Sequence, residues 1–230
     1  MHRNARRGRR RAPKRSPLAA AVGVFGELLL TGGAIVLLFV VYTLWGTGLQ
    51  TAAAQDDLRE QTAAWDQGTA AKPPAETPVG DAYAIIQIPR FGDDWEYTIV
   101  QGVEDEDLKN GPGHYLTSAN PGEVGNFAVA AHRSGHGEPF AQFAELRVGD
   151  LVEIRNALGT FVYQLDSAPD GDPNGNKIDI NDSWVVDPVP GESIDTEPTE
   201  RRITLTTCWP RFGSSHRMYA TGVLVSGEEL

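Results

Sequence analysis

From Leu28 to Leu49 the chain runs twenty-two residues without a charged side chain. Lipid offers no water to bond backbone N–H and C=O groups, so such a stretch crosses a membrane only as a helix. At about 1.5 Å per residue it reaches roughly 33 Å, enough for the hydrocarbon core of a bilayer. The first seventeen residues hold eight Lys/Arg and no acid. A basic flank stays on the cytoplasmic side. The segments therefore read as a basic cytoplasmic tail over 1–17, a single transmembrane anchor over 18–50 and an extracytoplasmic remainder. Tyr42 and Trp45 stand near the outer end of the span, where aromatic rings favour the interface. The competing reading is a cleaved signal peptide ending at Ala52-Ala53-Ala54. The length of the apolar stretch favours the anchor, and both readings export the rest of the chain.

Charge divides the same way. After residue 50 there are 12 Lys/Arg against 30 Asp/Glu, a net of −18. So acidic a domain excludes nucleic acid as a partner, because phosphate backbones need clustered Lys/Arg. Beside a span, the basic tail is accounted for by topology and anionic lipid. Residues 51–79 are rich in Ala, Gln, Thr and Pro and read as a semi-extended linker, with room for a short helix from Asp56 to Trp65. Residues 80–230 form one domain large enough for its own core. Its only cysteine is Cys208. With no internal disulfide available, that thiol is either an inert core residue or a reactive group.

From Asp81 onward, short β-type runs alternate with Gly, Pro, Asn and Asp. They predict strands near 82–88, 95–101, 126–132, 150–156, 160–166, 184–187, 202–208 and 217–225, with helical turns near 104–109 and 140–146. Ala157-Leu158-Gly159 joins two of these runs as a hairpin. The fold class is mainly β, a closed or nearly closed barrel of about eight strands with short helices, preceded by the N-terminal span.

In the run Ile203 to Cys208, alternation puts Thr204, Thr206 and Cys208 on one face. Pro210 and Gly213 break the run, and Arg217 opens the next strand. If these two strands pair antiparallel, Cys208 and Arg217 meet at one rim. His132 ends the strand predicted at 126–132 and could reach that rim. A thiol, an imidazole and a guanidinium together suit acyl transfer: the imidazole exchanges a proton with the thiol, and the guanidinium stabilises a developing oxyanion. A buried Cys, a capping His and a surface Arg are the bland alternative, and periodicity leaves both open.

These residues carry a resemblance. Thr204-Leu205-Thr206-Thr207-Cys208 followed by Arg217 is similar to the TLxTC…R signature of sortases. Gly111-Pro112-Gly113-His114-Tyr115, Pro121-Gly122, Gly125-Asn126 and Ala131-His132-Arg133 resemble the segment around the sortase histidine, although Ala131 stands where Gly often occurs. Over about residues 80–227 the ordered set most resembles the class E sortases of actinobacteria. The resemblance implies an eight-stranded sortase-type β-barrel and a cysteine transpeptidase. Such an enzyme cleaves the Thr–Gly bond of an LAxTG- or LPxTG-type sorting signal through a thioacyl-enzyme. Its substrates would be surface proteins or pilins, and its acceptor a peptidoglycan-precursor amine. It implies Cys208 as nucleophile, His132 as acid/base and Arg217 as oxyanion or substrate binder. Tyr115, Thr207 and Trp209 follow as substrate residues, Tyr115 through the LAxTG preference of class E. It requires no cofactor.

One segment departs from the pattern. Asp170, Asp172, Asn174 and Gly175 match the first half of an EF-hand-type calcium loop. The second half does not, because Lys177 replaces an apolar residue and Asn181 stands where a bidentate Glu is expected. A calcium site and an Asp/Asn/Gly turn cluster both remain open for 170–182. His132 and His136 could join Cys208 around zinc, but the glycines between and beside them argue against a shared helical face. The other function class open to the chain is a catalytically silent exported β-barrel that binds peptide or wall polymer.

Overall fold

The computed structural model describes residues 17–63, 65 and 77–229. The basic tail expected over 1–17, apart from Pro17, and residues 64 and 66–76 of the expected linker lie outside these residues. The chain divides into two units, one ending at Tyr42 and one starting at Thr43. In the first, helix α1 spans Pro17–Val41. Its segment Ala21–Val41 is long and apolar enough to cross a membrane. A π-helical turn, Tyr42–Gly46, comes next.

The second unit opens with helix α2, Thr47–Thr62. The helix allowed from Asp56 is therefore present but starts earlier, so the semi-extended reading is corrected over 51–55, and the compositional boundary at residue 50 falls inside this helix. Thr51, Gln55, Leu58 and Thr62 are buried, three and four residues apart, so they form one stripe. Only Leu58 in that stripe is strongly apolar. It packs with Ala82 and Val100. Gln55 replaces a missing strand: its amide Nε2 donates to Thr98 O at 2.9 Å and Asn110 O at 2.8 Å, and its Oε1 accepts the Thr98 N–H at 2.7 Å. The approach requires glycine at 111, where a Cβ would stand 2.3 Å from Gln55 Nε2.

The strands are β1 Ala82–Gln87, β2 Glu96–Gln101, β3 Gly113–His114, β4 Gly125–Ala130, β5 Leu151–Asn156, β6 Gly159–Ser167, β7 Lys177–Asp179, β8 Arg201–Trp209 and β9 His216–Glu229. They lie in the order β6-β5-β1-β2-β3-β4-β8-β9, and β9 pairs again with β6, closing an eight-stranded barrel. The short β7 hangs on the start of β9. The core fills the barrel with Tyr83, Ile86, Ile99, Phe127, Phe140 and Leu205, all 2% exposed or less. The β5–β6 hairpin turns at Ala157 and Leu158 between the partners Asn156 and Gly159. Helix α3, Asp105–Leu108, starts in the predicted acidic run and is capped reciprocally by Glu104 and Asp107.

The strand expected at 184–187 is instead a 3-10 turn, Trp184–Val186. Its carbonyls are taken by a side chain: Asn126 Nδ2 donates to Val185 O and Asp187 O, each at 3.0 Å. Pro188 also holds Asp187 extended and breaks the run.

His114 is buried and stacks on Tyr83 with centroids 4.3 Å apart. Its Nδ1 lies 2.8 Å from Gln101 Oε1 and its Nε2 2.9 Å from Ser118 Oγ.

Gln55→Ala strands the Thr98 backbone groups and lowers unfolding stability by about 2 kcal/mol. Exposed Asp57→Ala changes it by less than about 0.5 kcal/mol. Urea unfolding of the two variants checks the difference. For His114, burial lowers the pKa to about 4, against about 6.5 in an unfolded chain. Between those values the unfolded chain binds more protons, so stability rises with pH. The contribution is fully present above about pH 6.5 and is lost, by about 3 kcal/mol, as pH falls to 4. His114→Gln therefore shows a smaller change in urea midpoint between pH 7 and pH 5. An unchanged pH sensitivity would exclude His114 as its source.

Candidate active site

Strand β8 is built from β-branched residues, whose stiff χ1 suits a pleated sheet. Ile203 and Leu205 enter the core at 0% exposure. The threonines between and after them spend their hydroxyls on β4. Thr204 Oγ1 donates to Asn126 Oδ1 at 2.8 Å, and Thr207 Oγ1 donates to Ala131 O at 2.8 Å. The two strands run parallel with constant register, from Gly125 opposite Arg201 to Ala130 opposite Thr206. Ala131 continues it by donating its N–H to Thr206 O at 3.1 Å. The same offset of 76 residues carries His132 abreast of Cys208. On the other side of β8, antiparallel β9 sets Arg217 directly opposite Cys208. Thiol and guanidinium thus face each other across two adjacent strands, and the imidazole stands in the loop that leaves the third. All three residues are half-buried. His132 lies two residues past the end of β4, not within the strand as expected.

Burial pushes His132 below the ordinary imidazole range, and the neighbouring His136 adds to the fall, while Asp105 opposes it. A neutral imidazole can take a proton from a thiol. The two rings lie nearly face to face, with centroids 4.9 Å apart and 28° between planes. Among the described residues no group of three or more His, Cys, Asp or Glu is arranged to hold a metal.

The loop carrying His132 is tied to its surroundings. Phe140 N–H donates to His132 O at 3.0 Å. Glu138 Oε1 accepts the Gly135 N–H at 3.2 Å, and its Oε2 accepts from Arg211 Nη2 in the loop after Cys208. One carboxylate therefore clamps the histidine loop to the cysteine loop. Arg133 is 7% exposed, and its Nη1 donates to Met218 Sδ at 2.9 Å. Its Nε has no partner among the described residues. The sequence marked Arg133 only as part of a motif and passed over Glu138 and Arg211. Nothing in their spacing signals a link that depends on two loops meeting.

The substrate residues implied by the resemblance separate here. Tyr115 lines a cleft of about 120 Å³ with Thr206, Arg217, Val185, Ile180 and Asp182. Its hydroxyl lies 3.4 Å from Thr206 Oγ1. Thr207 is 3% exposed, and its hydroxyl donates to Ala131 O. It holds the strand leading to His132 rather than facing the cleft. Trp209 is half-buried and fixed by the 170–182 insertion, donating Nε1–H to Pro173 O at 2.8 Å beneath Lys177 Nζ, 3.7 Å from its ring centroid.

In that insertion the carboxylates that would open a calcium loop accept backbone N–H groups. Asp170 Oδ1 accepts the Val148 N–H at 2.9 Å, and Asp172 Oδ1 accepts the Asn174 N–H at 2.8 Å. The second half becomes β7, with Ile178 opposite Arg217.

The family model for the sortase domain matches residues 86–225. Sortase SrtE1 of Streptomyces coelicolor is 35% identical over 227 residues, covering 94% of this chain and 61% of that relative, so the chain spans less than two thirds of its length. The crystal structure of sortase E1 from the same organism, with a tripeptide in the active site, is 32% identical with a TM-score of 0.55, covering 66% of this chain and 93% of that one. Sortase E from Streptomyces avermitilis is 38% identical with a TM-score of 0.57, again covering 66% and 93%. Taken with the closed barrel and the ordered motifs on its rim, these likenesses establish that the chain belongs to the sortase family and stands with its class E members.

Proposed function

We propose that the chain is a membrane-anchored cysteine transpeptidase acting on a Thr–Gly bond of an LAxTG- or LPxTG-type sorting signal. The observation that carries this reading is Arg217 directly opposite Cys208 on β9 and β8, with His132 in the loop that leaves the adjacent β4. The Cys208 thiolate attacks the threonine carbonyl carbon, and the carbonyl electron pair moves to oxygen. Arg217 donates to that oxyanion. His132 delivers a proton to the glycine nitrogen as the C–N bond breaks, leaving a thioester on Cys208. An acceptor amine then attacks the thioester and yields its proton to His132. A new amide forms, and Cys208 leaves as the thiolate beside protonated His132, the pair with which the cycle began. The acceptor is a peptidoglycan-precursor amine, and the donors are surface proteins or pilins.

The cleft between Tyr115 and Arg217 supports this use. Tyr115, Val185 and Ile180 provide an apolar wall for a small side chain of the signal. Helix α1 serves as the single span, with the basic tail in the cytoplasm and the barrel outside.

The test is an intact mass of the full chain in detergent micelles after incubation with LAxTG and LPxTG peptides. The wild type gains the mass of the peptide up to its threonine, and Cys208→Ala gains nothing. Arg217→Ala keeps the fold and lowers kcat/KM by ~100-fold, the scale for loss of an oxyanion donor. Absence of an adduct while iodoacetamide still alkylates Cys208 would overturn the reading.

A further inference from the structure

Helix α2 reaches the histidine loop. His136 N–H donates to Thr47 Oγ1 at 3.2 Å, and the same hydroxyl donates to Thr43 O at 3.1 Å. Gly48 lies against the next residue of the loop, where a Cβ on Gly48 would stand 3.8 Å from Gly137 N. Thr51 covers the same spot, with Cγ2 3.2 Å from a Cβ built on Gly137. The first turn of α2 is thus seated on residues 135–137.

Those residues need support. Gly135, His136, Gly137 and Glu138 all have left-handed backbone, with φ of +70°, +48°, +74° and +50°. Two of the four carry side chains, and such a conformation persists only where its surroundings over-determine it. Three contacts do so: Thr47 on the His136 N–H, the Tyr97 hydroxyl donating to Gly137 O at 3.2 Å, and Glu138 on the Gly135 N–H. The turn sets where the His136 ring lies. His136 Nδ1 is buried without a hydrogen-bond partner among the described residues. The ring is therefore placed by its backbone and by its stack on His132.

We propose that α2 is a working part of the active site: Thr47 fixes the left-handed turn, the turn fixes the His136 ring, and that ring orients the His132 imidazole for proton transfer. Thr47 and His136 are positioning residues, and the inference rests on the reading of His132 as acid/base. The charged groups around the pair come from several elements. Asp105 of α3 acts on both imidazoles, and Lys109 after α3 acts on His136. Glu138 and Arg211 close the loop side. Arg133 is next to His132 in the chain and has Arg211 as a neighbour.

The experiment uses the full chain in detergent micelles and monitors peptide cleavage together with the titration of carbon-13-labelled histidines by NMR. Thr47→Val lowers kcat by ~10-fold with KM within about twofold, a misplacement effect, and Thr47→Ser restores it. His136→Ala gives a similar loss, whereas His136→Phe, which keeps a ring to stack, retains most of kcat. In His136→Phe the His132 titration midpoint rises, because a neighbouring positive charge is gone. If Thr47→Val fails to fold, Thr47→Ser and His136→Ala still decide. The inference is overturned if His132→Ala abolishes cleavage while His136→Ala and Thr47→Val keep wild-type kcat. Full activity in His132→Ala would instead bring down the reading of His132 and the positioning role with it.

Discussion

The site depends on one parallel ladder, β4 against β8. Because it holds a constant offset, the residue that leaves β4 and the thiol that ends β8 arrive at the same height. Hydroxyls of β8 lock that offset from the side: Thr204 holds Asn126, and Thr207 holds the carbonyl just before His132. Side chains alternate faces along a strand, so a slip of one residue would turn Cys208 toward the core and Thr207 toward the rim. The barrel's apolar filling opposes that slip, since Ile203 and Leu205 would have to leave the core with it.

Around this ladder the rim is assembled from loops that hold one another. The 170–182 insertion grips Trp209 with a carbonyl and an ammonium group. The Glu138–Arg211 pair joins the loops beyond the histidine and the cysteine. Exposed ion pairs contribute little to stability, typically about 0–1 kcal/mol. The value of this one lies in geometry, because it spans the loops that follow His132 and Cys208.

Much of this could be read from the chain itself. Alternation and turn residues located seven of the eight barrel strands, and strand pairing brought Cys208 beside Arg217 before any fold was known. Two short strands escaped. β3 has only two residues, too few for any period, and β7 lies in an Asp/Asn/Gly-rich segment whose composition signals turns. The 184–187 run misled because Trp-Val-Val has strand-like side chains, while its carbonyls answer to Asn126 from elsewhere in the barrel. The first half of helix α2 was hidden by its chemistry: it docks through Thr51 and Gln55, and a polar stripe leaves no hydrophobic period. Cys208 was visible because it is the only cysteine in the sequence, and His132 and Arg217 because each stands at a strand end within an ordered set of motifs. The clamps behind them were not, because an Arg–Glu pair between loops has no signature until the loops meet.

Strand β9 has a double duty. Its first residues carry Arg217 opposite the thiol, and its later residues close the barrel against β6. A local fraying that displaced the guanidinium would pull on the seam of the whole fold, so inactivation and opening of the barrel are coupled events. By mass action, any molecule lodged between Tyr115 and Arg217 then acts as a fastener for the entire domain, raising its resistance to heat and proteases in proportion to its occupancy.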